Sequence, residues 1–228
     1  MTGKRARECL LTSWHNKPVS EQNHLKNLVE LLRLAYSAEL AAAYAYRGHW
    51  HSVADQAERD RILQIENEER HHRRLVGEML DKLGTHPSRM RELRATIVGR
   101  VLGLLCHFTG WLAPMYGAGR LESRNIREYE TAARYARDSG HDEFVDCLLT
   151  MAEVEWEHEK YFRSRVLLHR FAGRLSLWPQ PPPREAIRQS FAECTPRAKR
   201  DLEQNTPLTA GNEVEVPLDA VVVSQHAK

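Results

Sequence analysis

"QIENEERHHRRLVGEML", residues Gln64 to Leu80, sets two carboxylates beside two histidines in a pattern that otherwise asks for Ile, Leu and Met. Two overlapping Glu-x-x-His frames fit it, Glu68 with His71 and Glu69 with His72. Positions i and i+3 of a helix face the same way, so either pair could grip one ion together. Periodicity separates the two. Ile65, Val76 and Met79 mark the apolar stripe of this segment. Glu69 lies four residues after Ile65 and seven before Val76, and His72 lies seven after Ile65 and seven before Met79. Glu68 and His71 are rotated by about 100° toward the edge of the stripe. The Glu69–His72 frame is therefore expected to point inward.

The same signature recurs. Glu155 and His158 form a second Glu-x-x-His in "EVEWEHEKYF", with Glu155 seven residues after Leu148 and seven before Phe162. Each Glu-x-x-His follows an isolated glutamate. Glu39 in "YSAELAAAY" precedes Glu69 by thirty residues, and Glu122 in "RLESRNIREY" precedes Glu155 by thirty-three. Either interval fits one helix, a turn and an antiparallel return to the same depth. Glu39 and Glu122 also fall on apolar stripes, Glu39 between Leu32 and Tyr46, and Glu122 before Ile126 and Tyr129. Six in-phase ionisable side chains would be very costly to bury without metal or pairing. Four carboxylates and two imidazoles suit two iron ions in the middle of a four-helix bundle, with manganese the other metal such donors accept. Bridging carboxylates offset the charge of cations held about 3.5–4 Å apart. Glu69 and Glu155 are the expected bridges.

Around this repeat the chain reads as helical throughout. Apolar stripes predict helices over about 21–53, 55–83, 90–115, 120–137 and 143–171, with Gly84, the Gly117–Gly119 pair and Gly140 as stop signals. The expected fold class is all-α: a four-helix bundle over 21–175 with an additional apolar connecting helix. An N-terminal arm, 1–20, precedes it. A Pro-rich C-terminal tail, 176–228, follows from "WPQPPP", is expected to be largely disordered, and holds one short helix near 184–192. Glu66, Glu153, Glu157 and Glu159 are expected on solvated faces. Tyr36, Tyr46, Tyr129, Trp156 and Phe162 read first as core packing, and His49, His51, His71 and His107 as candidates for contact with the site or a substrate.

The chain has 228 residues, of which 42% are hydrophobic and 28% charged, enough for one sizeable core. A net charge of +2, with basic residues spread among acids, argues against a nucleic-acid partner. Cys9, Cys106, Cys147 and Cys194 show no Cys-x-x-Cys spacing and read as free thiols of a reducing, cytoplasmic compartment. With no cysteine cluster, any reductant is external or the substrate itself. The apolar run 101–116 is too short to span a bilayer, which leaves a buried helix or a peripheral contact with the inner face of the cell membrane.

These residues resemble the ferritin-like di-iron carboxylate superfamily, which implies a ferritin-like four-helix bundle, and within it the demethoxyubiquinone hydroxylases of quinone biosynthesis. "SAELAAAYAYRGH" is similar to that family's first-helix motif, in which Tyr-x-Gly-Gln follows the glutamate ligand; His49 stands where Gln is usual. "EERHHRRLVGEML", "LESRNIREY" and "EVEWEH" resemble the other three helix motifs. The resemblance implies Glu39, Glu69, His72, Glu122, Glu155 and His158 as metal ligands, with Tyr129 on the substrate side. It implies two iron ions, O2 as co-substrate and hydroxylation of a quinone-like lipid. The membrane would be met through 101–116, and a homo-oligomer is also compatible with it. The alternative is a ferritin-like ferroxidase, peroxide scavenger or metal-storage protein without an organic substrate. A scaffold that keeps the fold without redox use is a third reading.

Overall fold

The computed structural model describes residues 19–193. They form six α-helices: α1 Val19–Ser52, α2 Gln56–Lys82, α3 Arg89–Leu105, α4 Leu112–Asp138, α5 Val145–Leu167 and α6 Glu185–Glu193. Two short 3₁₀ turns, Asp142–Phe144 and Ala172–Arg174, flank α5. The bundle belongs to the first of two compact units, residues 1–191; the second, residues 192–228, lies almost wholly outside the described residues.

Local chemistry fixes the helix ends. Asp55 caps α2 by accepting from the Glu58 amide at 2.8 Å. Gly84 (φ 66°) and Gly140 (φ 77°) end α2 and α4 in the left-handed conformation that glycine adopts without steric cost. Each end closes with a paired set of bonds, Thr85 N to Leu80 O and Gly84 N to Asp81 O at the first, His141 N to Ala136 O and Gly140 N to Arg137 O at the second.

Side-chain register gives the topology. Tyr36 packs by Gly77 while Trp50 reaches Glu66, so α1 and α2 are antiparallel. Tyr46 meets Glu122 and Tyr129 meets Glu39, so α1 and α4 are antiparallel as well. Ser37 bonds Glu92, and Gly48 packs on Gly103, so α3 runs parallel to α1. It is the crossover that carries the chain from the end of α2 back along the bundle to the start of α4. The four-helix core is thus two antiparallel hairpins, α1–α2 and α4–α5, joined by a long connection, as in ferritin-like bundles.

The core forms two apolar clusters with the ionisable residues between them. One holds Leu28, Leu32, Val76, Leu80, Ile126 and Leu148; the other holds Tyr46, Ile62, Ile65, Met115, Phe162 and Val166. Each helix therefore changes from apolar to ionisable and back along one buried face.

Several expectations need correction. The apolar segment is not one helix over 90–115: α3 ends at Leu105, and a turn with Gly110 at φ 73° precedes α4. The Gly117–Gly119 pair does not stop a helix, because α4 runs through it; Gly119 is small enough to let Trp178 pack against the backbone. Trp178 and Ile187, placed by sequence in the tail, are buried against the bundle, and α6 falls where the short helix was expected. The remainder of the tail from residue 194 and the arm up to residue 18 lie outside the described residues, as do Cys9 and Cys194. Cys106 and Cys147 are free.

Glu66 and Glu159 are not on solvated faces. Both are buried, and each is neutralised by an arginine and a tryptophan: Arg70 and Trp50 Nε1 at Glu66, Arg163 and Trp178 Nε1 at Glu159. Glu58 is held the same way by Arg165 and Trp111. Glu153 is paired with Arg184 and Arg188.

Candidate metal centre

The six sequence-expected donors converge. Glu69, Glu155 and His158 have no solvent exposure, Glu122 has 1%, and Glu39 and His72 have 3%. Their donor atoms form two groups, each within 4.8 Å: Glu39, Glu69, His72 and Glu155 in one, Glu69, Glu122, Glu155 and His158 in the other. Glu69 and Glu155 are common to both. The Glu69–His72 frame faces inward, whereas His71 is exposed and Glu68 sits at the rim.

Glu68 nonetheless belongs to the site. Its carboxylate lies 2.6 Å from His158 Nε2 and accepts from Gln64 at 2.8 Å and Arg61 at 3.2 Å. Burial would raise its pKa, but the His158 imidazole outweighs that and holds it at about 2. His158 Nδ1 is thereby turned toward the centre, 3.2 Å from Glu69 and 3.6 Å from Glu155.

Two tyrosines complete a reciprocal pattern. The Tyr46 hydroxyl donates to Glu122, and the Tyr129 hydroxyl donates to Glu39. Each glutamate is thus oriented by the tyrosine seven residues beyond the other glutamate. Asn125 Nδ2 adds a bond to Glu122 Oε2 at 2.9 Å. In the sequence Tyr46 reads first as packing, although the Glu-x₆-Tyr spacing recurs in both halves. Tyr36 lies under the Arg73 guanidinium and Trp156 under the Lys160 amine, both away from this layer.

The electrostatics are those of a site built for cations. Burial pushes Glu69 and Glu122 well above the usual carboxylate range, with the neighbouring Glu155 charge adding to it, and burial raises Glu39 too. For Glu155 burial acts the same way, but bonds from Glu122, His158 and His72 outweigh it and hold it well below that range. Burial opposes the charge of His158, yet Glu155, Glu68 and Glu69 raise it well above the ordinary histidine value. Several donor atoms have no hydrogen-bond partner: both oxygens of Glu69, Glu39 Oε2 and His158 Nδ1. Unsatisfied buried acceptors are expensive, and these face one another. The donor set and its orphan atoms therefore fit a pair of iron-class ions.

A family model, the ubiquinone biosynthesis protein COQ7 family, matches residues 26–161, more than half of the chain and all six donors. The chain belongs to that family. The COQ7 family is a ferritin-like family of di-iron hydroxylases in ubiquinone biosynthesis, so membership places the chain among the oxidoreductases. Comparison with curated proteins and with solved structures gave no match.

Two further features surround the centre. A cleft between α1 and α4, lined by Leu31, Ala35, Ala38, Asn125, Glu128 and Ala132, reaches Glu39 and Tyr129. It opens beside the tyrosine rather than at the 101–116 segment. On the outside, α3 and the turn after it expose Leu93, Ile97, Val101, Leu104 and Phe108. Among the described residues no helix is long and apolar enough to cross a membrane.

Proposed function

We propose that this COQ7-family member is an O2-dependent monooxygenase that hydroxylates the ring of a quinone- or quinol-type lipid at a membrane surface. The observation that carries the reading is the buried donor layer, two groups of atoms sharing Glu69 and Glu155. One iron would be held by Glu39, Glu69, His72 and Glu155, the other by Glu69, Glu122, Glu155 and His158, with Glu69 and Glu155 as bridges; manganese suits the same donors. A reduced iron pair supplies the two electrons that O2 activation needs.

The chain's own residues do the rest. Tyr129 fixes Glu39 by donating to one carboxylate oxygen, which leaves Glu39 Oε2 turned to the centre. Tyr46 and Asn125 take up both oxygens of Glu122. The two apolar clusters keep bulk water from the layer and strengthen every charge interaction inside it. Tyr129 also lines the α1–α4 cleft, whose free volume of about 10 Å³ admits a water-sized molecule. The exposed apolar face of α3 supports contact with a lipid surface.

The ferroxidase reading calls for an acidic, polar mouth. The α1–α4 cleft is instead lined mostly by leucine and alanine, with Glu128 at its edge.

The test combines metal content with isotope transfer. Purified protein should take up about two iron ions per chain, and under labelled O2 one labelled oxygen should enter the quinol ring. Glu69→Gln should lose the metal. It should also make the metal-free protein more stable, by about 1–3 kcal/mol, because an unpartnered buried carboxylate is removed. Iron oxidation without label in the quinol would overturn the hydroxylase reading, and undiminished metal uptake by Glu69→Gln would overturn the site.

A further inference from the structure

Helices α1 and α3 touch through glycine. A Cβ at Gly48 would collide with the Gly103 backbone, and one at Gly103 would come to 2.7 Å from the Tyr44 carbonyl oxygen. Beside this contact lies an open groove of about 480 Å³, lined chiefly by Tyr44, Arg47, His51, Arg100, Leu104 and His107. No carboxylate lines it.

Several arginines elsewhere on the surface are neutralised. Arg33, Arg73, Arg91, Arg124 and Arg188 each face a carboxylate. Among the described residues Arg47 and Arg100 have no such partner; the Arg100 guanidinium lies over the Tyr44 ring, 5.2 Å from its centre. Two cations and two histidines in a concavity without a counter-charge focus positive potential on whatever enters.

The surroundings identify the anion's source. Leu104, itself in the lining, is 60% exposed, and it continues into the apolar face of Val101, Leu105 and Phe108, the last 76% exposed. A soluble phosphate compound has no use for that face. A phospholipid presents a phosphate directly above its acyl chains, and basic residues beside an apolar face match both.

We infer that the Arg47–Arg100 groove receives the phosphate headgroup of an anionic phospholipid while the adjoining face of α3 rests on the acyl boundary. This rests on the membrane-surface reading above and adds its headgroup selectivity. The groove is an electrostatic seat separate from the metal centre, so changing its charge alters docking and leaves the donor layer intact.

The experiment is co-sedimentation of the full chain with vesicles of phosphatidylcholine alone or mixed with phosphatidylglycerol. The wild type should prefer the mixed vesicles, and salt should abolish the preference. Arg47→Gln with Arg100→Gln should lower binding to mixed vesicles about thirtyfold, from about 1 kcal/mol per arginine, and leave binding to neutral vesicles unchanged. Helical content and iron content should stay at wild-type levels. Equal binding to both vesicles, or a double variant that binds as the wild type does, would overturn the inference. So would competition by inorganic phosphate without vesicle binding, or a dimer that the double variant dissociates. Turnover of a short-tailed, water-soluble quinol without vesicles separates the two proposals. The double variant should retain it; if the wild type lacks it, the hydroxylase reading fails whatever the vesicles show.

Discussion

His49 should make the protein acid-sensitive, by an amount the structure sets. It is 2% exposed, its ring lies near Tyr46 and Phe162, with centroids 6.4 and 6.0 Å away, and its Nε2 has no hydrogen-bond partner. Burial lowers its pKa from 6.5 to about 4. The unfolded chain therefore takes up a proton near pH 6.5 that the folded chain refuses until about pH 4. Between those values the unfolded state binds more protons, so stability is present above pH 6.5 and is lost as pH falls toward 4. At 1.36 kcal/mol per pH unit the loss is about 3 kcal/mol. Carboxyl groups throughout the chain also take up protons as the solution becomes acid, so the informative quantity is a difference. His49→Gln installs the residue usual in the resembled motif and removes the titration. Urea unfolding of both metal-free proteins, from about pH 7 to about pH 4, should give stabilities that diverge by about 3 kcal/mol in favour of Gln as the solution becomes acid. Parallel stability curves would refute the assignment of a neutral, buried imidazole at this position.

Glu68→Gln keeps the shape of the group that holds His158 Nε2 and removes its charge; metal affinity, measured by competition with a chelator, should fall about 10- to 100-fold with the helices intact. Unchanged affinity would show that Glu68 does not tune the imidazole. Gly48→Ala puts a methyl group into the Gly103 backbone. It should destabilise by about 1–3 kcal/mol and speed proteolysis of the turn at 106–111. Gly117, with open space around it, is the control: Gly117→Ala should stabilise α4 by up to about 1 kcal/mol, and equal urea midpoints for the two variants would contradict the close α1–α3 contact.

The donor layer was legible because helical periodicity converts sequence position directly into direction. Glu39, Glu69, Glu122 and Glu155 each interrupt an apolar stripe, and the structure buries all four. Gly84 and Gly140 were legible as stops for a similarly local reason, since a left-handed residue closes the last turn. What stayed hidden depends on partners distant in sequence. Gly117 and Gly119 look like a break, yet Gly119 is the floor on which Trp178 packs. Glu66 and Glu159 look solvated, yet their tryptophans come from another helix or from beyond the bundle.

The buried glutamates outside the centre sharpen the case for metal within it. Burial by itself does not mark a ligand, because Glu58, Glu66 and Glu159 are 5%, 5% and 2% exposed and need no ion. Each has an arginine within 2.7 Å and a tryptophan N–H on the same carboxylate, so charge and lone pairs are both satisfied. The central four have neither. Among the described residues no lysine or arginine pairs with Glu39, Glu69, Glu122 or Glu155. Their only cationic neighbours are His72 and His158, and both oxygens of Glu69 are left without a donor. Two imidazoles cannot balance four ionised carboxylates in an apolar interior, so cations held among the six would complete the charge that protons on the raised carboxyls otherwise cancel.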